Sequence, residues 1–167
     1  MLRQVKQMIE IREASREDHI SFNTIFKPII ALGESYDYTA DHLPQVVEEW
    51  FNQSYKIYKA ILDEKIVGFY KIRANSVGRG SHIANCSYIV DVKASGKGIG
   101  RALGMHSIEM CKKFSFEAMQ FNRVVSTNTA AVALWKKLGF VIVGQIPNGY
   151  QCKDKKFVDV YVMYKSL

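Results

Sequence analysis

Hydrophobic and polar positions change period several times along the chain, and each change marks an element. Residues 9–13 alternate as a short strand, and Ser15 followed by Glu17 and Asp18 reads as a helix start with acids in its first turn. That helix runs through Ile20, Ile25 and Phe26 and ends near Gly33. Asp41 caps a second helix, with Pro44 near its first turn and Trp50 and Phe51 on its buried side. Residues 55–62 and 66–73 are strands joined as a hairpin by residues 63–65. A strand over residues 83–92 is followed by a helix from Gly98 to about Phe114, on which Ile99, Leu103, His106, Met110 and Phe114 share one face. His106 is read there as a residue at the core's edge. Residues 118–126 form a strand, and residues 129–138 a short helix capped by Asn128. Residues 140–145 and 157–164 close the sheet, linked by a polar loop over residues 147–156. The order is that of a single α/β domain without repeats or linkers.

Between the strand 83–92 and its helix the chain reads Ser95-Gly96-Lys97-Gly98-Ile99-Gly100-Arg101. A strand that stops at a glycine-rich turn opening a helix aims backbone N–H groups and the positive end of a helix dipole at one point. That is an anion site, most naturally for phosphate. Glycine keeps positive φ accessible and lets the backbone approach the ligand, and Lys97 and Arg101 add full charges. The G-x-G-x-G spacing lacks the third glycine of the dinucleotide fingerprint, and no G-K-[ST] ending is present. A plain strand-to-helix turn is the simpler alternative.

A second segment narrows the ligand. Residues 128–140 read N-T-A-A-V-A-L-W-K-K-L-G-F. Together the two segments resemble the central motifs of the GCN5-related N-acetyltransferases, Q/R-x-x-G-x-G/A and N-x-x-A-x-x-L-Y-x-x-x-G-F. The matches fall at residues 95–100 and at Asn128, Ala131, Leu134, Gly139 and Phe140. The resemblance implies a single-domain fold with a mixed, mostly antiparallel seven-stranded sheet. A parallel, splayed central strand pair and about four flanking helices complete it. It implies acetyl-CoA as acyl donor and no metal. By the resemblance, Ile89, Val90, Val92, Ser95, Gly96, Lys97, Gly98, Ile99, Gly100, Arg101, Asn128 and Trp135 hold the CoA, and the Val90 N–H meets the developing oxyanion.

Two positions depart from the family pattern. Ser95 replaces the usual Arg or Gln. Trp135 stands where many members have a Tyr that protonates the leaving thiolate, and an indole N–H cannot titrate near neutral pH. A CoA thiol resembles Cys, with a pKa of about 8.5, so its thiolate already leaves tolerably.

Asn85 and Asn122 lie on strands expected to be buried parallel neighbours, which ordinarily read as apolar runs. Each could satisfy a neighbouring backbone group, or orient an acceptor amine or its carboxylate. The segments Y-K-I-R-A-N, G-R-G-S-H-I-A-N-C-S-Y-I-V and Q-F-N-R-V-V-S-T-N look like the subfamily containing the fungal acetyltransferases of azetidine-2-carboxylate and related proline analogues. That likeness places the active-site asparagines at Asn85 and Asn122. Glu34, Tyr36, Asp37 and Tyr38, in the loop between the first two helices, are candidates for the base and for specificity. The expected activity is acetyl transfer to a small-molecule amine. A non-catalytic acyl-CoA-binding module and a protein or peptide N-acetyltransferase are the alternatives.

Composition changes this picture little. The 167 residues suffice for one domain that buries roughly two-thirds of its unfolded surface. Residues 1–92 hold 11 basic and 12 acidic residues, whereas residues 93–167 hold 12 and 4. The basic surplus begins at the glycine loop and suits steering of polyanionic CoA. It comes as scattered pairs without a basic helix, so nucleic acid is not an expected partner. No apolar run is long enough to span a membrane. The start M-L-R-Q-V-K-Q-M has no signal core, so residues 1–7 read as an extension before Met8, with residues 8–167 as the acetyltransferase domain. Cys86, Cys111 and Cys152 show no C-x-x-C and fit a reducing cytoplasm; a Cys86 acyl intermediate is a lesser option. A homodimer is left open.

Overall fold

Strand and helix periods resolve into one seven-stranded sheet with two helices on each face. The computed structural model describes residues 8–167, and the extension expected over residues 1–7 lies outside them. In chain order the elements are β1 (Glu10–Glu13), α1 (His19–Leu32), α2 (Leu43–Asn52), β2 (Lys56–Leu62), β3 (Lys65–Ala74), β4 (Ile83–Val90), α3 (Ile99–Lys113), β5 (Ala118–Val125), α4 (Thr129–Lys137), β6 (Val141–Gln151) and β7 (Phe157–Ser166). The strand order is β1-β2-β3-β4-β5-β7-β6, and only β4 and β5 run parallel. This is the expected α/β arrangement.

Local chemistry explains most boundaries. Ser15 N–H donates to Asp18 Oδ2 at 2.9 Å ahead of α1, and α1 ends at Gly33 with φ of 66°, a left-handed cap. The buried stripe of α1 is Phe22, Ile25, Phe26, Ile29 and Ile30; Ile20 is 68% exposed and lies outside it, contrary to the sequence reading. Asp63 and Glu64 both have positive φ, which makes the β2–β3 connection a two-residue turn matched to strand twist. One core packs α1 and α2 on the sheet through Phe22, Trp50 and Phe69; the other packs α3 and α4 through Leu103, Trp135 and Phe140.

Two strands depart from the expected form, and both departures shape the site. The register of β5 against β7 shifts between Phe121 and Val124, so Asn122 and Arg123 sit in a bulge. The last hairpin is longer than expected. β6 continues through residues 147–151, where a polar loop was read, and its register against β7 shifts between Ile146 and Tyr150. Pro147 lacks an N–H, but on an edge strand and inside a bulge it breaks no ladder bond that matters. Asp159 holds the bulge by accepting from Asn148 N–H at 2.9 Å.

Gly104 sets how closely α3 approaches α4. A Cβ there would stand 2.6 Å from Leu138 Cδ1 and 3.0 Å from Trp135 Cζ3. Gly104→Val is therefore expected to destabilise the fold by about 1–3 kcal/mol through overpacking. A urea midpoint equal to the parent's would show that this contact yields freely.

Candidate active site

The ladder between β4 and β5 stops almost as soon as it starts. The strands pair at Ile83↔Ala118 and Ala84↔Met119 and then part. Where a third rung would come, Asn85 Nδ2 donates to Gln120 O at 2.9 Å. On the other sheet face, the Trp135 ring sits between the diverging strands, 4.7 Å from both the Tyr88 and the Phe121 ring centroids. The separation is thus held by an amide on one side and an indole wedge on the other.

The parting exposes one edge of β4. Asp91 N–H donates to Val67 O and Asn75 N–H to Ile83 O, which assigns the odd-numbered backbone groups of β4 to β3. The N–H and C=O of Tyr88 and Val90 therefore face the gap. Ile89 is turned the other way. Its backbone pairs with Phe69, and its side chain is 1% exposed in the core beneath α1 and α2, so unlike Tyr88 and Val90 it presents no backbone group to the gap.

Past β4 the chain makes the expected loop. Gly96 and Gly98 have φ of 78° and 80°, which L side chains rarely adopt. The first bond of α3 runs from Ala102 N–H to Gly98 O, leaving the N–H groups of Ile99, Gly100 and Arg101 at the helix N-terminus without intrahelical acceptors. Ser95, Lys97 and Arg101 are exposed around it, and Val92 is exposed just before it. Ile99 is buried and anchors the turn. Gly100 has a different reason from its neighbours: a Cβ there would point at Leu134 Cδ2, 3.4 Å away on α4. Asn128 caps α4 by accepting from Ala131 N–H at 3.2 Å.

A cleft of about 350 Å³ opens on the gap, lined among others by Tyr36, Tyr38, Arg73, Asn85, Tyr88, Asn122, Asn128 and Trp135. Of the residues singled out from the sequence it brings together Tyr36, Asp37, Tyr38, Asn85, Asn122, Asn128 and Trp135, whereas Val90 and the glycine loop lie outside its lining. Asn85 is 7% exposed and Asn122 donates to Asn75 Oδ1 at 2.8 Å, so both belong to a polar cluster that includes Gln120. Glu34 is exposed and lies outside the cleft lining, unlike Tyr36, Asp37 and Tyr38 of the same loop.

The loop over residues 33–38 is fastened across the cleft. Tyr36 O–H donates to Tyr88 O at 2.7 Å, on the free edge of β4. Arg123, projecting from the β5 bulge, grips Asp37 through Nε (2.7 Å) and Nη2 (3.0 Å), and Nη2 also donates to Gly149 O at 2.6 Å. Tyr150 O–H donates to Tyr36 O at 3.1 Å. The bulged end of β6 and the α1–α2 loop are one wall. Periodicity could not show this, because a bulge interrupts the pattern on which such reading rests.

Behind Tyr38 lies an ion pair between a buried lysine and a half-buried carboxylate. Lys71, 3% exposed, donates to Glu49 Oε1 and lies 5.1 Å from the Trp50 ring centre. Tyr38 O–H donates to Glu49 Oε2 at 3.2 Å. Burial pushes Lys71 below the ordinary lysine range. Burial opposes the charge on Glu49 too, but the bonds from Lys71 and Tyr38 outweigh it and hold the carboxyl low. Burial, reinforced by Glu49, pushes Tyr38 up to about 12, and burial drives Tyr36 higher still. Both phenols therefore stay protonated at neutral pH and serve as donors. His106 hydrogen-bonds Tyr70 at 2.7 Å and is depressed by burial, as befits a core-edge residue. Burial raises the Cys86 thiol well above its ordinary value, which argues against a nucleophile there. Among the described residues no cluster of His, Cys, Asp or Glu is arranged to hold a metal, and no helix is long and apolar enough to cross a membrane.

The chain as a whole is similar to known proteins in sequence and in fold. The family model described as the acetyltransferase (GNAT) family matches residues 17–140, and the chain belongs to that family, a class of acyltransferases. It is similar to N-acetyltransferase aca1 of Schizosaccharomyces pombe, 33% identical over 98 residues, covering 58% of this chain and 47% of that protein. It is also similar to the L-amino acid N-acetyltransferase AaaT of Escherichia coli, 31% identical over 108 residues, covering 62% of this chain and 64% of that one. The matches thus span about half to two-thirds of these relatives' lengths. Among solved structures, a GCN5-related N-acetyltransferase from Kribbella flavida superposes with a TM-score of 0.89 at 33% identity, over 95% of this chain and 98% of that chain.

Removing one partner of the Lys71–Glu49 pair leaves Lys71 charged without compensation. Glu49→Gln is expected to destabilise the protein by about 1–3 kcal/mol at neutral pH, between an exposed and a fully buried pair. In that variant the folded-state pKa of Lys71 falls further below its unfolded value. Above that depressed value the unfolded chain binds more protons, so stability rises with pH until the unfolded lysine also titrates. Thermal unfolding of parent and variant at pH 7 and pH 9.5 checks this: their difference should narrow at the higher pH.

Proposed function

We propose that the protein transfers an acetyl group from acetyl-CoA to the amine of a small molecule, an amino acid, imino acid or related amine. The observation that carries this reading is that the unpaired edge of β4 leads from the glycine loop toward a cleft of about 350 Å³, a volume in the range of small-molecule sites. The Arg123–Asp37 staple and the β6 bulge wall off the acceptor side, which favours a small acceptor over a protein chain. The two amino-acid-directed and general N-acetyltransferase relatives are compatible with it.

In this reading residues 95–101 bind the pyrophosphate through backbone N–H groups, with Lys97 and Arg101 adding charge. The free backbone of Val90 supplies a donor for the thioester oxyanion. Asn128 and Trp135 wall the acyl end. The amine lone pair forms the new C–N bond, the C–S bond breaks, and the electron pair leaves on sulfur. Trp135 acts as the wedge and contributes no proton. Asp37 and Glu49 are already paired, so the proton of the attacking nitrogen passes to water in the cleft. Asn85 and Asn122 serve as positioning residues, holding the gap open and giving the acceptor a polar wall. The cytoplasm, with its acetyl-CoA, is the compartment this activity implies.

Thiol release from acetyl-CoA across amino acids, imino acids including azetidine-2-carboxylate, simple amines and peptides tests the proposal. Turnover confined to peptides would replace it with protein acetylation, and binding without any turnover with a regulatory acyl-CoA module. Gly98→Val, which forces a β-branched residue into positive φ, is expected to abolish acetyl-CoA binding in calorimetry; unchanged affinity would reduce the loop to a turn. Trp135→Phe is expected to keep most of the turnover. A loss of kcat on the order of 100-fold, the lower end for acid–base assistance, would place the indole in the chemistry.

A further inference from the structure

Five charged side chains stand on or just behind the acceptor wall: Lys71, Arg73 and Arg123 against Glu49 and Asp37. Two pairs account for four of them, Lys71 with Glu49 and Arg123 with Asp37. Arg73 is left over. Arg73 is exposed, and its one hydrogen bond among the described residues is long, from Nε to Asn85 Oδ1 at 3.5 Å; it forms no direct ion pair with a carboxylate, although Glu49 feels its charge. It nevertheless lines the cleft. Its place is set by the sheet: Arg73 is directly opposite Asn85 in the β3–β4 register, at the point where β4 and β5 part. The guanidinium thus sits at the mouth of the gap, with both Nη groups uncommitted, at the opposite end of β4 from the glycine loop that suits phosphate.

We propose that Arg73 binds a carboxylate on the acceptor, so that the substrate is an amine carrying an acid group. This rests on the acetyltransferase reading above. A planar fork with two free N–H groups matches a carboxylate bidentately. The carboxylate on Arg73 fixes the molecule at one end and leaves its nitrogen to reach the gap beside Asn85. A simple alkylamine would leave the guanidinium unpaired. A cationic acceptor would meet it as a like charge.

The test compares each amino or imino acid with its own carboxamide, as acceptors for the parent, Arg73→Gln and Arg73→Lys. The parent is expected to prefer the acids. Arg73→Gln should lower kcat/KM for the acids roughly 10- to 100-fold, mainly through KM, and change the amides by less than about threefold, as befits loss of a charge-assisted contact. Arg73→Lys should recover part of the loss. Equal use of acids and amides by the parent, or an equal fall for both in Arg73→Gln, overturns the proposal. Calorimetry with N-acetyl amino acids and N-acetyl amino-acid amides, in the presence of CoA, separates this from the broader reading. Acid-selective binding that vanishes in Arg73→Gln upholds the carboxylate site even if no small amine turns over, whereas binding indifferent to the acid group removes it even from an active enzyme. Loss of acetyl-CoA affinity in Arg73→Gln would assign the residue to the donor and also overturn it.

Discussion

The side-chain bond from Asn85 to Gln120 O stands where β4 and β5 give up their shared ladder, and the rest of the site follows from that substitution. A parallel strand pair in the middle of a sheet normally saturates its backbone groups along its length. Here saturation lasts for two residue pairs, after which a side-chain amide makes the next bond and the backbones diverge. The gap would close by lateral collapse if it were empty on both faces. Trp135 prevents this on the α4 side by filling the space between Tyr88 and Phe121 with a rigid ring. Trp135 is 8% exposed and packs against both rings, a steric part that needs no proton transfer from the indole.

Around this gap the two helix layers do different work. α3 and α4 bury an extended apolar core and deliver the glycine loop at the end of β4. α1 and α2 bury a second core, but their connecting loop and the Lys71–Glu49 pair carry polar groups toward the acceptor side. Under the proposed function the sheet has the acetyl donor served from the α3–α4 side and the acceptor from the α1–α2 side, with the gap between them.

Much of this was legible in the sequence. The element order, the helix ends at Gly33 and near Phe114, and the glycine loop all rest on local rules: periodicity, caps and positive φ. The gathering of Tyr36, Tyr38, Asn85 and Asn122 at one cleft was legible through family resemblance. What escaped depends on long-range geometry. Ile89 reads like its neighbours in sequence, yet strand alternation turns it into the core. Glu34 shares a loop with Tyr36 but points to solvent. Arg73 and Arg123 look like ordinary strand cations until the register sets them at the cleft. The run over residues 147–151 resembles a loop because Pro, Asn and Gly favour turns, although an edge bulge accommodates them equally well.

That bulge separates the heritable parts of the site. The donor end is one contiguous stretch of chain, from the end of β4 into α3, whose geometry is locally determined. The acceptor wall is assembled from the α1–α2 loop and the end of β6, more than a hundred residues apart in sequence, joined chiefly through Arg123, Tyr150 and the Lys153 bond to Ala31 O. Changes in the length or composition of either wall segment can therefore remodel what is accepted while the donor grip stays intact. Under the proposed function, a scaffold divided in this way can diversify its repertoire of acceptors by drift at one surface loop and one edge-strand bulge, without passing through forms that have lost the shared donor.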